Sequence, residues 1–235
     1  MKRMSRTQAL ATYLPAVGAL SLIVMVVAIR RLEVAAVTMD ATAYLEAHPL
    51  TGLLSNLGVL LWCASASICL FAALASARSG RRDLAGFLLA SSLLTLFLLF
   101  DDLFLFHEDL ARRYLGIGQK TVIGALGLWV LGYLAAYRRV ILATDYAALV
   151  AALALLSMSV LVDLGQGVLQ ARLGDWVYLA EDGPKWLGIA SWCSYFVQTS
   201  YRCVVAGSGA TIGPAQESVG VEEPATSFTD NRATR

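Results

Sequence analysis

Residues 84–110 read LAGFLLASSLLTLFLLFDDLFLFHEDL. The first seventeen of them, 84–100, carry no charge, and then Asp101 and Asp102 arrive together. A membrane-crossing helix needs about 20 predominantly apolar residues. At about 1.5 Å per residue, Asp101 lies roughly 25 Å into a hydrocarbon layer about 30 Å thick. This stretch is therefore a membrane helix that takes two carboxylates below the surface. It runs over Leu84–Phe106 and is expected to continue as helix to Leu110.

Outward from this helix the same pattern repeats. Apolar runs of spanning length occupy Leu10–Ile29, Leu53–Ala75, Thr121–Tyr137, Tyr146–Leu169 and Pro184–Ala206. The expected fold is all-α, a bundle of six transmembrane helices over residues 1–206. A polar tail occupies 207–235, rich in Ser, Thr, Gly, Pro and Glu and expected to be disordered. Only helices and closed barrels satisfy their backbone in lipid, and these runs are too long and too uniformly apolar for barrel strands. Composition agrees. Of 235 residues, 58% are hydrophobic and 15% charged, against about 25% charged in a soluble domain. A net charge of +1 without a basic face excludes nucleic acid as a partner. The bilayer is the expected partner, and the cell (inner or plasma) membrane the expected location.

The N-terminus, Met1-Lys2-Arg3-Met4-Ser5-Arg6 before an apolar run, has the outline of a secretion signal. The run is too long for one, so it reads as an uncleaved first helix. Cleavage near Ala41-Thr42-Ala43 is the lesser alternative. Between the first two spans, Met39–Leu45 suits a short interfacial helix, stopped by His48-Pro49. The cysteines, Cys63, Cys69, Cys193 and Cys203, lack the spacing of a redox or zinc motif and read as small apolar residues. Gly132 with Ala136, and Ala147 with Ala151, have the spacing of helix contacts.

With the N-terminus in the cytoplasm, nine Lys and Arg residues of the body fall inside and seven outside. That bias places both termini in the cytoplasm. The acidic residues are more lopsided. Eleven of them, including Asp101, Asp102, Glu108, Asp163, Glu181 and Asp182, fall on the outer side, and only Asp83 and Asp145 on the inner.

Three helices therefore bring charge to one layer. The third supplies Asp101, Asp102, His107 and Glu108. The fifth supplies Asp163, at nearly the depth of Asp101. The sixth begins with Glu181 and Asp182, the latter placed to cap it, and continues to Lys185. Trp192 and Tyr195 share the stripe of Lys185. In a regular helix His107 points away from Asp101 and Asp102 and needs another partner. A carboxylate inside the bilayer costs about 2.5–3.5 kcal/mol on insertion scales, so these residues are paired, protonated, metal-bound or functional.

Three functions compete. The first is a membrane-embedded hydrolase of a lipid-like substrate, metal-dependent or not. Asp101, Asp102, His107, Glu108 and Lys185 are its candidate catalytic residues. Asp163, Glu181, Asp182, Trp192 and Tyr195 would bind substrate. A divalent metal would sit on His107, Asp101 and Asp102. With two histidines in the chain, a three-histidine zinc centre is impossible. The second is a purely structural network, Lys185 neutralising Asp101 or Asp163, in a scaffold or assembly protein. The third is a proton-coupled transporter or sensor. Against that one stand the absence of an inverted repeat and an inner half with few polar groups beyond Ser65, Ser67, Ser91, Ser92 and Thr95.

Overall fold

In lipid there is no water to satisfy a peptide group, so an apolar segment closes its own hydrogen bonds as a helix. The computed structural model describes residues 6–207 and obeys that rule, with no strand among them. The helices are α1 (Arg6–Arg30), α2 (Val34–Thr38), α3 (Ala41–Tyr44), α4 (Leu53–Arg78) and α5 (Arg82–Phe104), then a π-helical turn (Phe106–Leu110). They continue as α6 (Ala111–Leu115), α7 (Gln119–Leu142), α8 (Ala147–Leu164), α9 (Gln166–Leu173) and α10 (Trp176–Gly207). Five of them, α1, α4, α5, α7 and α8, are long and apolar enough to cross a membrane. The expected tail beyond residue 207 lies outside the described residues.

The chain divides into two units, residues 1–57 and 58–235. In the first, α1 is succeeded by two short helices. Asp40 caps α3 by accepting from the backbone of Thr42 and Ala43, and the Tyr44 hydroxyl donates to Glu33 at 3.1 Å. The expected short helix is present, over Ala41–Tyr44, and the chain leaves it at Leu45, before the proline is reached. His48 lies in the loop beyond it.

In the second unit α4, α5, α7, α8 and α10 pack around one aromatic-rich core. Phe87, Leu88, Leu94, Ala152, Val177 and Phe196 are fully enclosed. Trp62 meets Trp192 edge-on, ring centroids 5.8 Å apart. Lipid is as apolar as leucine, so such helices associate by close packing and hydrogen bonds rather than by the hydrophobic effect. The closest approach is α8 on α10. A Cβ on Gly188 would lie 3.1 Å from the backbone nitrogen of Leu156, which cannot move aside. Hydroxyls supply the links between helices. Ser92 donates to the carbonyl of Ala66 at 2.9 Å, and Ser91 and the Tyr133 hydroxyl lie 2.7 Å apart. Gly132 makes no such contact, because nothing lies within 4 Å of its Cβ position.

Several helix boundaries differ from the sequence reading. The helix of Asp101 stops at Phe104 instead of running to Leu110. The helix of Asp163 stops at Leu164, and Gly165 separates it from α9, so it does not reach Leu169. Helix α7 is longer at both ends than Thr121–Tyr137. Helix α10 starts eight residues before Pro184 and takes the proline into its interior. Asp182 is consequently a residue of the second turn and not a cap.

Candidate functional site

The site is built at the end of α5. Leu105 adopts the left-handed conformation, φ 50° and ψ 45°, and its N–H returns to the carbonyl of Asp101. That conformation costs a non-glycine residue about 1–2 kcal/mol. It also swings the chain back over the helix it has just left. The backbone N–H of His107 donates to Asp101 Oδ1 at 3.0 Å, and His107 Nδ1 lies 2.8 Å from Asp101 Oδ2. The expectation that His107 points away from Asp101 is thus corrected, because the intervening chain is not regular helix.

A carboxylate only accepts, so Nδ1 carries a proton, and in the neutral ring Nε2 keeps its lone pair. Nε2 lies 3.6 Å from Glu108 Oε1, and the imidazole is 17% exposed. Burial opposes its charged form, but the hydrogen bond and charge of Asp101, with Glu108 and Asp163 nearby, outweigh that and raise its pKa.

Asp102 has a different partner. Lys185, on α10, places Nζ 2.5 Å from Asp102 Oδ1. The expected pairing of Lys185 with Asp101 or Asp163 is therefore replaced by one with Asp102. Asp163 accepts instead from the side-chain amide of Gln119 at 2.8 Å. Gln166, just beyond the Gly165 break, donates to Glu181 at 3.4 Å. Burial, with the charges of Asp163 and Asp182, pushes Glu181 up to about 7, and Lys185 offsets this only in part. Asp182 is also raised, first by burial, with Lys185 opposing and Asp102 adding.

Asp101, Asp102, His107, Glu108, Asp163, Glu181, Asp182 and Lys185 are linked pair by pair: His107 is near Asp101, Glu108 and Asp163, Glu181 is near Asp163, Asp182, Glu108 and Lys185, and Lys185 is near Asp102 and Asp182. Trp192 and Tyr195 are not among them. Both are core residues, 1% exposed. Trp192 Nε1 donates to Thr95 at 3.0 Å, and the Tyr195 hydroxyl meets Thr144. The expected metal set is not assembled either. Among the described residues no three His, Cys, Asp or Glu side chains are grouped to hold an ion. The physical reason is that Asp101 is turned onto the imidazole and Asp102 onto Lys185.

Sequence reasoning missed Leu105, Gln119 and Gln166. The glutamines carried a signal, being polar groups at helix ends in the same layer. Leu105 carried none, since a leucine among phenylalanines reads as helix.

Residues 14–199 match a family described as a domain of unknown function (DUF8692). No curated protein and no solved structure matches the chain.

Proposed function

We propose that this chain, which belongs to the DUF8692 family, is a membrane-embedded acid–base enzyme that hydrolyses a lipid-like ester, with the Asp101–His107 pair as its working group. The observation that carries this reading is the double grip of one buried carboxylate on both the backbone and the ring of His107. Fixing the tautomer in this way leaves Nε2 as the basic nitrogen of the neutral ring, beside Glu108. In the reaction, Nε2 takes a proton from water as the water oxygen bonds to the ester carbonyl carbon. The tetrahedral intermediate then expels the alcohol oxygen, which takes that proton back from Nε2. Asp101 stabilises the imidazolium between the two steps. Lys185 and Asp102 hold α10 against the end of α5 and keep the layer's charge in place.

The proposed setting is a six-span protein of the cell membrane with both termini cytoplasmic. Helix α10 would be the sixth span, over residues 184–206. Its length supports this, and its acidic residues and Lys185 lie in its first three turns. The site would then open near the outer leaflet, where an ester linkage of a lipid resides.

The test uses purified protein in nanodiscs, with p-nitrophenyl hexanoate and phospholipid as substrates. Positioned acid–base groups contribute about 10²–10⁴-fold. His107→Gln and Asp101→Asn are expected to lower kcat by that factor, with little change in KM. Turnover unaffected by His107→Gln rejects the proposal. Absence of turnover, with both variants merely melting earlier, makes the layer a structural network.

A further inference from the structure

The chain between α5 and α6 breaks where its sequence gives no reason to. Residues 87–115 contain neither glycine nor proline. The next glycine, Gly116, closes α6 in the left-handed conformation that ends a helix, φ 67°. Read locally, this is one helix that ends at Gly116. It is interrupted instead at Leu105, the one non-glycine residue of positive φ among the described residues of its unit. Beyond the interruption the backbone is helical again, and Leu110 and Ala111 are right-handed.

Asp101 holds the break. In a continuous helix the His107 N–H would bond to the carbonyl of Leu103. Here it donates to Asp101 Oδ1, and His107 Nδ1 lies against Oδ2. The side chain of Asp101 therefore competes with the helix for the same N–H. A hydrogen bond to an ionised group is worth tenfold or more in population. The left-handed leucine costs a factor of about the same size.

A second observation concerns Phe106. Its ring lies 5.9 Å from that of Phe97 and 5.7 Å from that of Phe100. A continuous helix would set Phe97 and Phe106 about 13 Å apart along the axis and on opposite sides of it. That contact belongs to the broken form alone, in which Ala111 is also fully enclosed.

We infer that Asp101 is the latch of a two-state helix. With its carboxylate on His107 the chain is broken at Leu105. Without it Leu105 relaxes, and α5 and α6 join in one helix over residues 82–115. The joined helix would be about 51 Å long, against about 30 Å of hydrocarbon. Residues 106–115 would then stand clear of the bilayer instead of folding back on α5. His107 would lie about 120° round the axis from Asp101, and the pair would no longer exist. This goes beyond the enzyme reading and stands without it. If that reading holds, the joined helix is the inactive state.

Double electron–electron resonance on the full chain in nanodiscs measures the two states. Spin labels replace Leu93 on α5 and Leu115 at the end of α6, both exposed, and the four cysteines are changed to alanine. In the joined helix these positions lie about 33 Å apart along the axis, and in the broken form they are closer. The protein with Asp101 intact is expected to give the shorter distance. Asp101→Ala should raise the ratio of long to short at least tenfold. His107→Ala keeps the backbone bond and should raise it less. Adding Leu105→Gly to either variant should restore the short distance, because glycine takes the left-handed turn freely and weakens the helix. An unchanged distance in Asp101→Ala overturns the inference. So does a broad distribution that Leu105→Gly leaves as it is, because the segment is then frayed rather than joined. Should Asp101→Ala fail to fold, His107→Ala decides: lengthening supports the latch, and no change overturns it.

Discussion

His107 shows how two contacts with one carboxylate fix the orientation of a ring. Its raised pKa also makes a statement about stability. The folded protein favours the imidazolium, so this contribution is complete below about pH 6.5 and is lost as pH rises through the higher folded value. Glu181 works in the same direction. Its ordinary pKa of 4.5 moves up to about 7, so the fold favours the neutral acid. That contribution is complete below the ordinary value and is lost on the way to 7. The melting temperature is therefore expected to fall as pH rises from 4.5 to about 7 through Glu181, and to go on falling above pH 6.5 through His107. Glu181→Gln should flatten the lower part of that slope, and Asp101→Asn the upper part. A melting temperature that climbs across this range contradicts both assignments. Lys185 gives a second prediction at this scale. Lys185→Met leaves Asp102 buried without a cation, at an expected cost of about 3 kcal/mol. Adding Asp102→Leu should recover most of that loss, because the stranded charge is gone. Thermal melts of the single and double variants decide it.

At the scale of the element, the break between α5 and the π-helical turn assembles the site. Leu105 is 47% exposed, so its packing does not explain the left-handed backbone. The two bonds from His107 to Asp101 do. Leu105→Gly should keep the site and add about 1 kcal/mol of stability, since glycine adopts this conformation freely. Leu105→Val should lower stability and, under the proposed function, hydrolysis with it. If the glycine variant melts earlier, the strain has been misplaced. The same element explains what the sequence could and could not disclose. Periodicity and charge placed Asp101, Asp102, Asp163 and Lys185 in one layer, because residue counts fix depth along a helix. They could not pair them, because pairing depends on rotation about the axis and on where the helix stops. Glycine can mark a helix break, as at Gly165 beside Asp163, although the apolar run to Leu169 hid that one. A leucine held left-handed by a remote carboxylate writes nothing into the local pattern. Pro184 erred the other way, since a helix packed among others accommodates a proline that would start one in water.

For the whole molecule, hydropathy is a strong signal because the solvent changes, and the helical character of the chain came from it directly. Orientation rests on nine basic residues against seven and calls for a direct measurement. Under the proposed topology, Ser79→Cys, between α4 and α5, faces the cytoplasm. Asp175→Cys, between α9 and α10, faces outward. A membrane-impermeant maleimide added to intact cells should label the second and not the first, and the opposite result inverts the protein. The core supplies its own reporter for such work. Trp62 and Trp192 stand 5.8 Å apart at 71°, and Trp192 hangs from Thr95 on the helix that carries Asp102. Two indoles this close and this skewed share their excited states, which splits their circular dichroism into a pair of bands of opposite sign. Movement of α10 against α5 would change that couplet, giving an optical readout of the bundle that needs no added dye.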